Sequence, residues 1–124
     1  MAEKQEGFYN TFDTSNLQEA SGGKPDFFNK MLKVFIQNTK ETRSSLAENF
    51  KKKDWEALGN IAHKAIPSFK YFSLTRIVQQ LEYLEQVTLR ENDYEKVPDS
   101  IEDILSGLDQ VIINAKDEII NIES

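Results

Sequence analysis

Apolar residues recur along this chain at three- and four-residue steps, the spacing of helices that each bury one face. The pattern opens weakly. Ser15-Asn16-Leu17-Gln18 has the form of a capping box and Gly22-Gly23 stands where a helix would end, so a short helix of about one and a half turns is predicted there. Upstream, Phe8, Tyr9 and Phe12 are too apolar for a free tail and are expected to pack on the body of the domain. A second helix starts near Pro25, whose fixed φ suits a first helical position, with Asp26 beside the positive end of the dipole. Its stripe is Phe27, Phe28, Met31, Leu32, Phe35 and Ile36, then Leu46, Ala47 and Phe50; the polar stretch from Thr39 to Ser45 between them is expected to face solvent or fray.

Lys51-Lys52-Lys53 closes that helix at its negative pole, and Asp54 has the chemistry of an N-cap for the next. The third helix carries Trp55, Leu58, Ile61, Ala62, Ala65, Phe69 and Phe72 on one face. Ser73 is read as the cap of a fourth, which buries Leu74, Ile77, Val78, Leu81, Leu84 and Val87. A charged connection runs from Arg90 to Val97. Pro98, Asp99 and Ser100 then open the last helix, with Ser100-x-x-Asp103 as a capping box. Its stripe is Ile101, Ile104, Leu105, Leu108, Val111, Ile112, Ala115, Ile119 and Ile122. Four amphipathic helices joined by short connections fold up and down into an antiparallel all-α four-helix bundle, with the short N-terminal helix as its cap. The expected organisation is one domain over 1–124, with 1–13 an extension and 14–122 the bundle.

Composition narrows the chemistry. The chain has 124 residues, enough for one core and cramped for two. It has no cysteine, which excludes disulfides, thiolate zinc and Cys nucleophiles, and one histidine, which excludes a multi-His metal site. The net charge of −6 argues against nucleic-acid binding, which needs a basic face to neutralise phosphates. No apolar run approaches the roughly 18 residues of a membrane span, and the start has no apolar core of a secretory signal. A cytoplasmic protein without membrane or nucleic-acid partners is expected. The compact Met-initiated chain favours one that works alone, and a monomer is the default expectation.

The single histidine, His63, is the informative residue. At about 100° per residue it lies roughly 130° from the centre of the third helix's core face, which places it in solvent on a rigid helix. Its stripe carries Glu56, Gly59 one turn before, Pro67 one turn after and Lys70 two turns after. Gly59 costs about 1 kcal/mol relative to Ala inside a helix. Pro67 removes a backbone hydrogen bond and crowds the carbonyl of His63. Two broken local rules beside one exposed histidine point to a site, with Gly59 clearing space above the ring. Other features read plainly: Trp55 and the phenylalanines as packing, the three lysines as a solvated helix end, and Glu82, Glu85 and Glu91 as carboxylates without a metal-site companion. Ile66 lies about 70° off the core centre, either half exposed as a docking patch or ordinary core edge.

The run from Ala62 to Leu74, Ala-His-Lys-Ala-Ile-Pro-Ser-Phe-Lys-Tyr-Phe-Ser-Leu, resembles the signature of histidine-containing phosphotransfer (HPt) domains, roughly A-H-x-L-K-G/P-S followed by G-L/A. Asp54-Trp55-x-x-Leu58 upstream and Leu81, Leu84 and Glu85 downstream fit the same family, over about residues 14–122. The resemblance implies a phosphorelay intermediate without autokinase activity. In it, His63 accepts a phosphoryl group from the receiver-domain aspartate of a hybrid sensor kinase and passes it to a response regulator. An imidazole is largely neutral near pH 7 and can offer a ring nitrogen as nucleophile. No cofactor is expected on this chain; Mg²⁺ is expected on the partner receiver domain, since transfer needs positive charge near the moving group. Lys64, Ser68 and Lys70 are the candidate phosphate supports, and Gly59, Asn60, Ile66 and Pro67 the candidate docking contacts. The chain departs from the pattern at Ile66, where the family has a phosphate-facing lysine, and at Ser73, where it has glycine. Where some members have glutamine, Glu85 stands, an acid that would either repel phosphate or orient the ring. The alternative reading is a receiver-binding adaptor that no longer transfers, and a weaker third is a structural bundle.

Overall fold

Asp13 and Thr14 lead into α1 (Ser15–Ser21) of a computed structural model that describes residues 12–120; Phe8, Tyr9 and Ile122 lie outside the described residues. The expected capping box is rearranged. Thr14, not Ser15, is the boundary residue, and its hydroxyl accepts from Gln18 Nε2 at 2.8 Å. Asp13 accepts from the Ser15 N–H at 2.9 Å and from its hydroxyl at 2.6 Å, bonds that hold its carboxyl below the usual range. Gly22 ends α1 in the left-handed conformation at φ 59°.

The long helix α2 (Pro25–Lys51) is continuous. The stretch expected to fray is held on both sides: Thr39 is buried and donates its hydroxyl to the Phe35 carbonyl at 2.8 Å, and Arg43 pairs with Asp109 at 2.6 Å. Asp54 caps α3 (Trp55–Tyr71), accepting from the Ala57 N–H at 3.1 Å. Ser73 does not cap the next helix. It closes α3 at φ 56°, with its N–H on the Lys70 carbonyl at 2.9 Å, a left-handed conformation that favours glycine. Helix α4 (Thr75–Glu85) runs directly into a π-helical turn over Gln86–Arg90. A 3₁₀ turn at Tyr94–Lys96 then leads into α5 (Val97–Asp117). The last helix begins three residues before the expected box. Val97 is fully buried and Pro98 sits in the first turn, so Ser100 becomes a buried helical residue rather than a cap.

Neighbouring pairs are α2–α3, α3–α4, α4–α5 and α5–α2, which closes an up-down antiparallel four-helix bundle with α1 packed on α2. Leu32, Leu46, Leu58, Leu81, Leu84, Ile104 and Leu108 are fully buried along its axis, each contributing about 1.5–3 kcal/mol of hydrophobic stabilisation. At one end Phe12 stacks on Phe72 at 4.7 Å and Phe35 meets Phe69 edge-on at 5.6 Å. At the other Trp55 stacks on Tyr94 at 5.4 Å, a packing role. Among the described residues no helix is long and apolar enough to cross a membrane.

Phe27, Met31 and Val34 do not join the core. They are 43%, 37% and 44% exposed on α2, while Phe28, Leu32 and Phe35 one position on are buried. The apolar positions of this helix therefore occupy two faces, and only one of them finds a helix to pack against.

Candidate functional site

The middle of α3 presents His63 to solvent, its side chain 70% exposed. One turn later Pro67 has no N–H for the His63 carbonyl, so that carbonyl lacks its helical donor. The ring is nevertheless held. Glu85, the last residue of α4, places both carboxylate oxygens 3.2 Å from His63 Nδ1. A carboxylate only accepts, so Nδ1 carries the hydrogen in this contact, and in the neutral imidazole the lone pair then stands on Nε2. The Glu85 side chain is 16% exposed, sheltered beneath the ring that it holds. Of the two possibilities open for this acid from sequence, orientation of the imidazole is the one that the distances support.

The segment beside this pair is the π-turn. Val87 and Thr88 are buried there, and the Thr88 hydroxyl donates to the carbonyls of Leu84 at 2.7 Å and Glu85 at 3.3 Å. Such back-bonding competes with the regular ladder and accompanies a bent, locally widened helix end. Arg90, the last residue of the turn, brings Nη2 to 4.0 Å from Glu85 Oε2 with a side chain that is 76% exposed.

Two expected docking residues are placed elsewhere. Gly59 is buried, and no space opens above the ring: a Cβ there would fall on Thr88 Oγ1 and come within 2.5 Å of Leu89 Cγ. Its role is the close approach of α3 to the π-turn. Ile66 is 8% exposed and belongs to the core, which resolves the choice between core edge and docking patch. Asn60, Lys64, Pro67, Ser68 and Lys70 are exposed, and among the described residues neither Lys64 nor Lys70 is drawn into an ion pair. Pro67 and Ser68 line an open, mainly apolar groove of about 400 Å³, walled by Phe27, Met31, Val34 and Tyr71 and floored by Phe35 and Phe72. Among the described residues no group of three His, Asp or Glu converges as a metal site.

Sequence reasoning missed Arg90, which it left in a charged connection, and the groove, of whose residues it assigned Phe27, Met31, Phe35 and Phe72 to the core. The exposed residues of α2 carry a helical spacing indistinguishable from that of core residues, so nothing local marked them. Arg90 depends on a π-turn that no short motif announces.

Comparison with known proteins agrees with this geometry. The bundle is similar to the crystal structure of histidine-containing phosphotransfer protein B (HptB) from Pseudomonas aeruginosa PAO1, with a TM-score of 0.75 over 87% of this chain and 93% of that one, at 21% identity. That likeness concerns the fold. No curated protein matches the chain. The Hpt domain family model matches residues 30–115, a span that contains His63, Glu85 and all four helices that surround them in whole or in large part. A bundle of this topology, with one exposed histidine at the motif position and a family match over most of its length, places the chain in the Hpt domain family.

Proposed function

We propose that this protein is a phosphorelay intermediate in which His63 takes a phosphoryl group from the aspartyl phosphate of one receiver domain and delivers it to the aspartate of another. The observation that carries the reading is the ring held through Nδ1 by Glu85, with Nε2 turned outward. In the forward step the Nε2 lone pair forms a bond to phosphorus while the bond from phosphorus to the aspartate oxygen breaks. The aspartate leaves with that electron pair, and the Nδ1 proton stays in place. The phosphorylated ring then carries positive charge, which the Glu85 carboxylate stabilises. The receiver domain supplies Mg²⁺ for the charge on the moving group. Lys64, Ser68 and Lys70 are exposed on the same helix and are the proposed supports for it. With no nucleotide-binding loop in the sequence, the protein carries phosphate without generating it from ATP.

The direct test is incubation with a phosphorylated receiver domain or with phosphoramidate, followed by intact mass before and after mild acid. An acid-labile phosphate, lost again on adding an unphosphorylated receiver, supports the relay. No label under conditions that label another HPt domain would leave the adaptor reading in its place. Glu85→Ala is expected to slow labelling roughly tenfold, since a charge-assisted hydrogen bond contributes about 1.5–3 kcal/mol. Nitrogen NMR of His63 should show the Nδ1–H form giving way to a tautomeric mixture. An unchanged rate and tautomer would remove Glu85 from the site.

The groove beside Pro67 and Ser68 is the proposed docking surface for the receiver, because its exposed apolar wall starts one turn from His63. Met31→Glu places a charge on that wall. Transfer from a phosphorylated receiver should fall about tenfold or more, while labelling by phosphoramidate, which needs no docking, stays at the wild-type rate. Equal losses with both donors would assign the effect to His63 itself.

A further inference from the structure

The described chain enters the bundle beside the apolar groove of Pro67 and Ser68. Phe12, the first described residue, stacks on Phe72 at 4.7 Å and meets Phe35 edge-on at 5.9 Å, and the Asp13 N–H donates to the Phe72 carbonyl at 3.1 Å. Phe35 and Phe72 are the two rings that floor the groove. The residues that precede Phe12 include Phe8 and Tyr9. An extended chain advances about 3.3–3.6 Å per residue, so Tyr9 and Phe8 can reach about 10 and 14 Å from Phe12. The wall from Phe27 to Val34 is about 10 Å of helix, and the groove, at about 400 Å³, has room for both rings. Charge is complementary as well. Glu3 and Glu6 outnumber Lys4 ahead of the two rings, and the rim carries Lys30, one turn from both Phe27 and Val34, and Lys64, one turn before Ser68. Both lysines are exposed, and among the described residues neither is in an ion pair.

We infer that residues 3–11 of this chain occupy the groove, with Phe8 and Tyr9 against Phe27, Met31 and Val34, and that a receiver must displace them to dock. The occupancy stands on the groove and on the chain that leads into it; the competition rests on the receiver-docking reading above. The physical need is the wall itself, where three large apolar side chains stand together in solvent on α2. Two aromatic rings are tethered a few residues from the groove's floor, and each has a large apolar face to bury. Tethering makes the encounter intramolecular, at an effective concentration on the order of mM, so a contact too weak to form between separate molecules is well populated within one. A segment held this way lowers the receiver's apparent affinity in proportion to the fraction of time the groove stands free. His63, with its side chain 70% exposed, stays open to a small donor.

The test compares the full chain as wild type and as the double variant Phe8→Ser/Tyr9→Ser, with methionine methyl groups labelled for NMR. The sequence has two methionines, Met1 and Met31, and Met31→Leu identifies the signal of the one on the wall. The Met31 methyl is expected to show contacts to ring protons that vanish in the double variant, together with a shift of its signal, and to keep them on dilution. With a phosphorylated receiver as donor, the receiver concentration at half-maximal transfer should fall about five- to tenfold in the double variant. The maximal rate and labelling by phosphoramidate should not change, since neither needs the groove vacated by competition. A Met31 methyl identical in both proteins would overturn the occupancy. So would contacts that fade on dilution, which would make the occupant a second copy of the chain. A changed Met31 methyl with an unchanged receiver dependence would overturn the competition. A wild type that takes no label from either donor would instead overturn the phosphotransfer reading, while the Met31 signal still decides the occupancy.

Discussion

His63→Gln is expected to abolish acid-labile labelling by a phosphorylated receiver and by phosphoramidate, while the protein unfolds at the wild-type temperature. The two halves of that result have separate causes. Chemically, glutamine has no ring nitrogen to attack phosphorus, and the next residues on the stripe, Gly59 and Pro67, offer no nucleophile. Structurally, the His63 side chain is 70% exposed and its described polar partner is Glu85, which a glutamine amide can still approach. Surface substitutions of this kind stay within about 0.5 kcal/mol. Intact mass before and after acid, with a thermal melt beside it, checks both halves. Residual label in the variant would mean that another side chain accepts phosphate. Loss of label together with a collapsed melting temperature would show that His63 holds the fold, which its exposure argues against.

Gly59→Val is expected to destabilise the bundle by about 2–3 kcal/mol, toward the upper part of the range for overpacking a closely packed contact. That corresponds to a fall of roughly 10 °C in Tm for a domain of this size. The branched side chain would have to displace Thr88 and Leu89, and Thr88 is pinned by its bond to the Leu84 carbonyl. Gly59→Ala should cost less, because alanine regains about 1 kcal/mol of helix propensity. This ordering separates two readings of the glycine. Were Gly59 an open site above the imidazole, alanine would stabilise and valine would be nearly neutral. Because the π-turn continues directly from Glu85, which holds the His63 ring, the valine variant should also label more slowly even at temperatures where it is fully folded. A melting temperature equal to the wild type would refute the close approach.

Much of the fold was legible because its causes are local. Pro25 opening α2, Asp54 capping α3 and Gly22 ending α1 each act within one turn. The exposure of His63 follows from residue spacing on a regular helix, which needs no knowledge of what packs opposite. The misread boundaries share one origin. Ser15, Ser73 and Ser100 each have the side chain of a cap, yet none is the N-cap of a helix. At the start of α5 the decisive term was burial of Val97, a tertiary contact that extends the helix past its polar signal.

The candidate site divides along the same line. Residue spacing is enough to read a helical bundle with one exposed histidine on a rigid helix, and the motif around it resembles HPt domains. What surrounds that histidine is set by packing between elements. Glu85 reaches the ring across 22 residues of sequence, and Arg90 arrives through a π-turn that exists because Gly59 leaves room for it. Ile66, about 70° off the core centre of its helix, went inward, and Phe27 and Met31 stayed outward although they share the helical spacing of the core residues. A residue's place on its own helix is set by about 100° of rotation per residue. Which of its sides is covered depends on where the other helices lie, and that is a property of the whole chain.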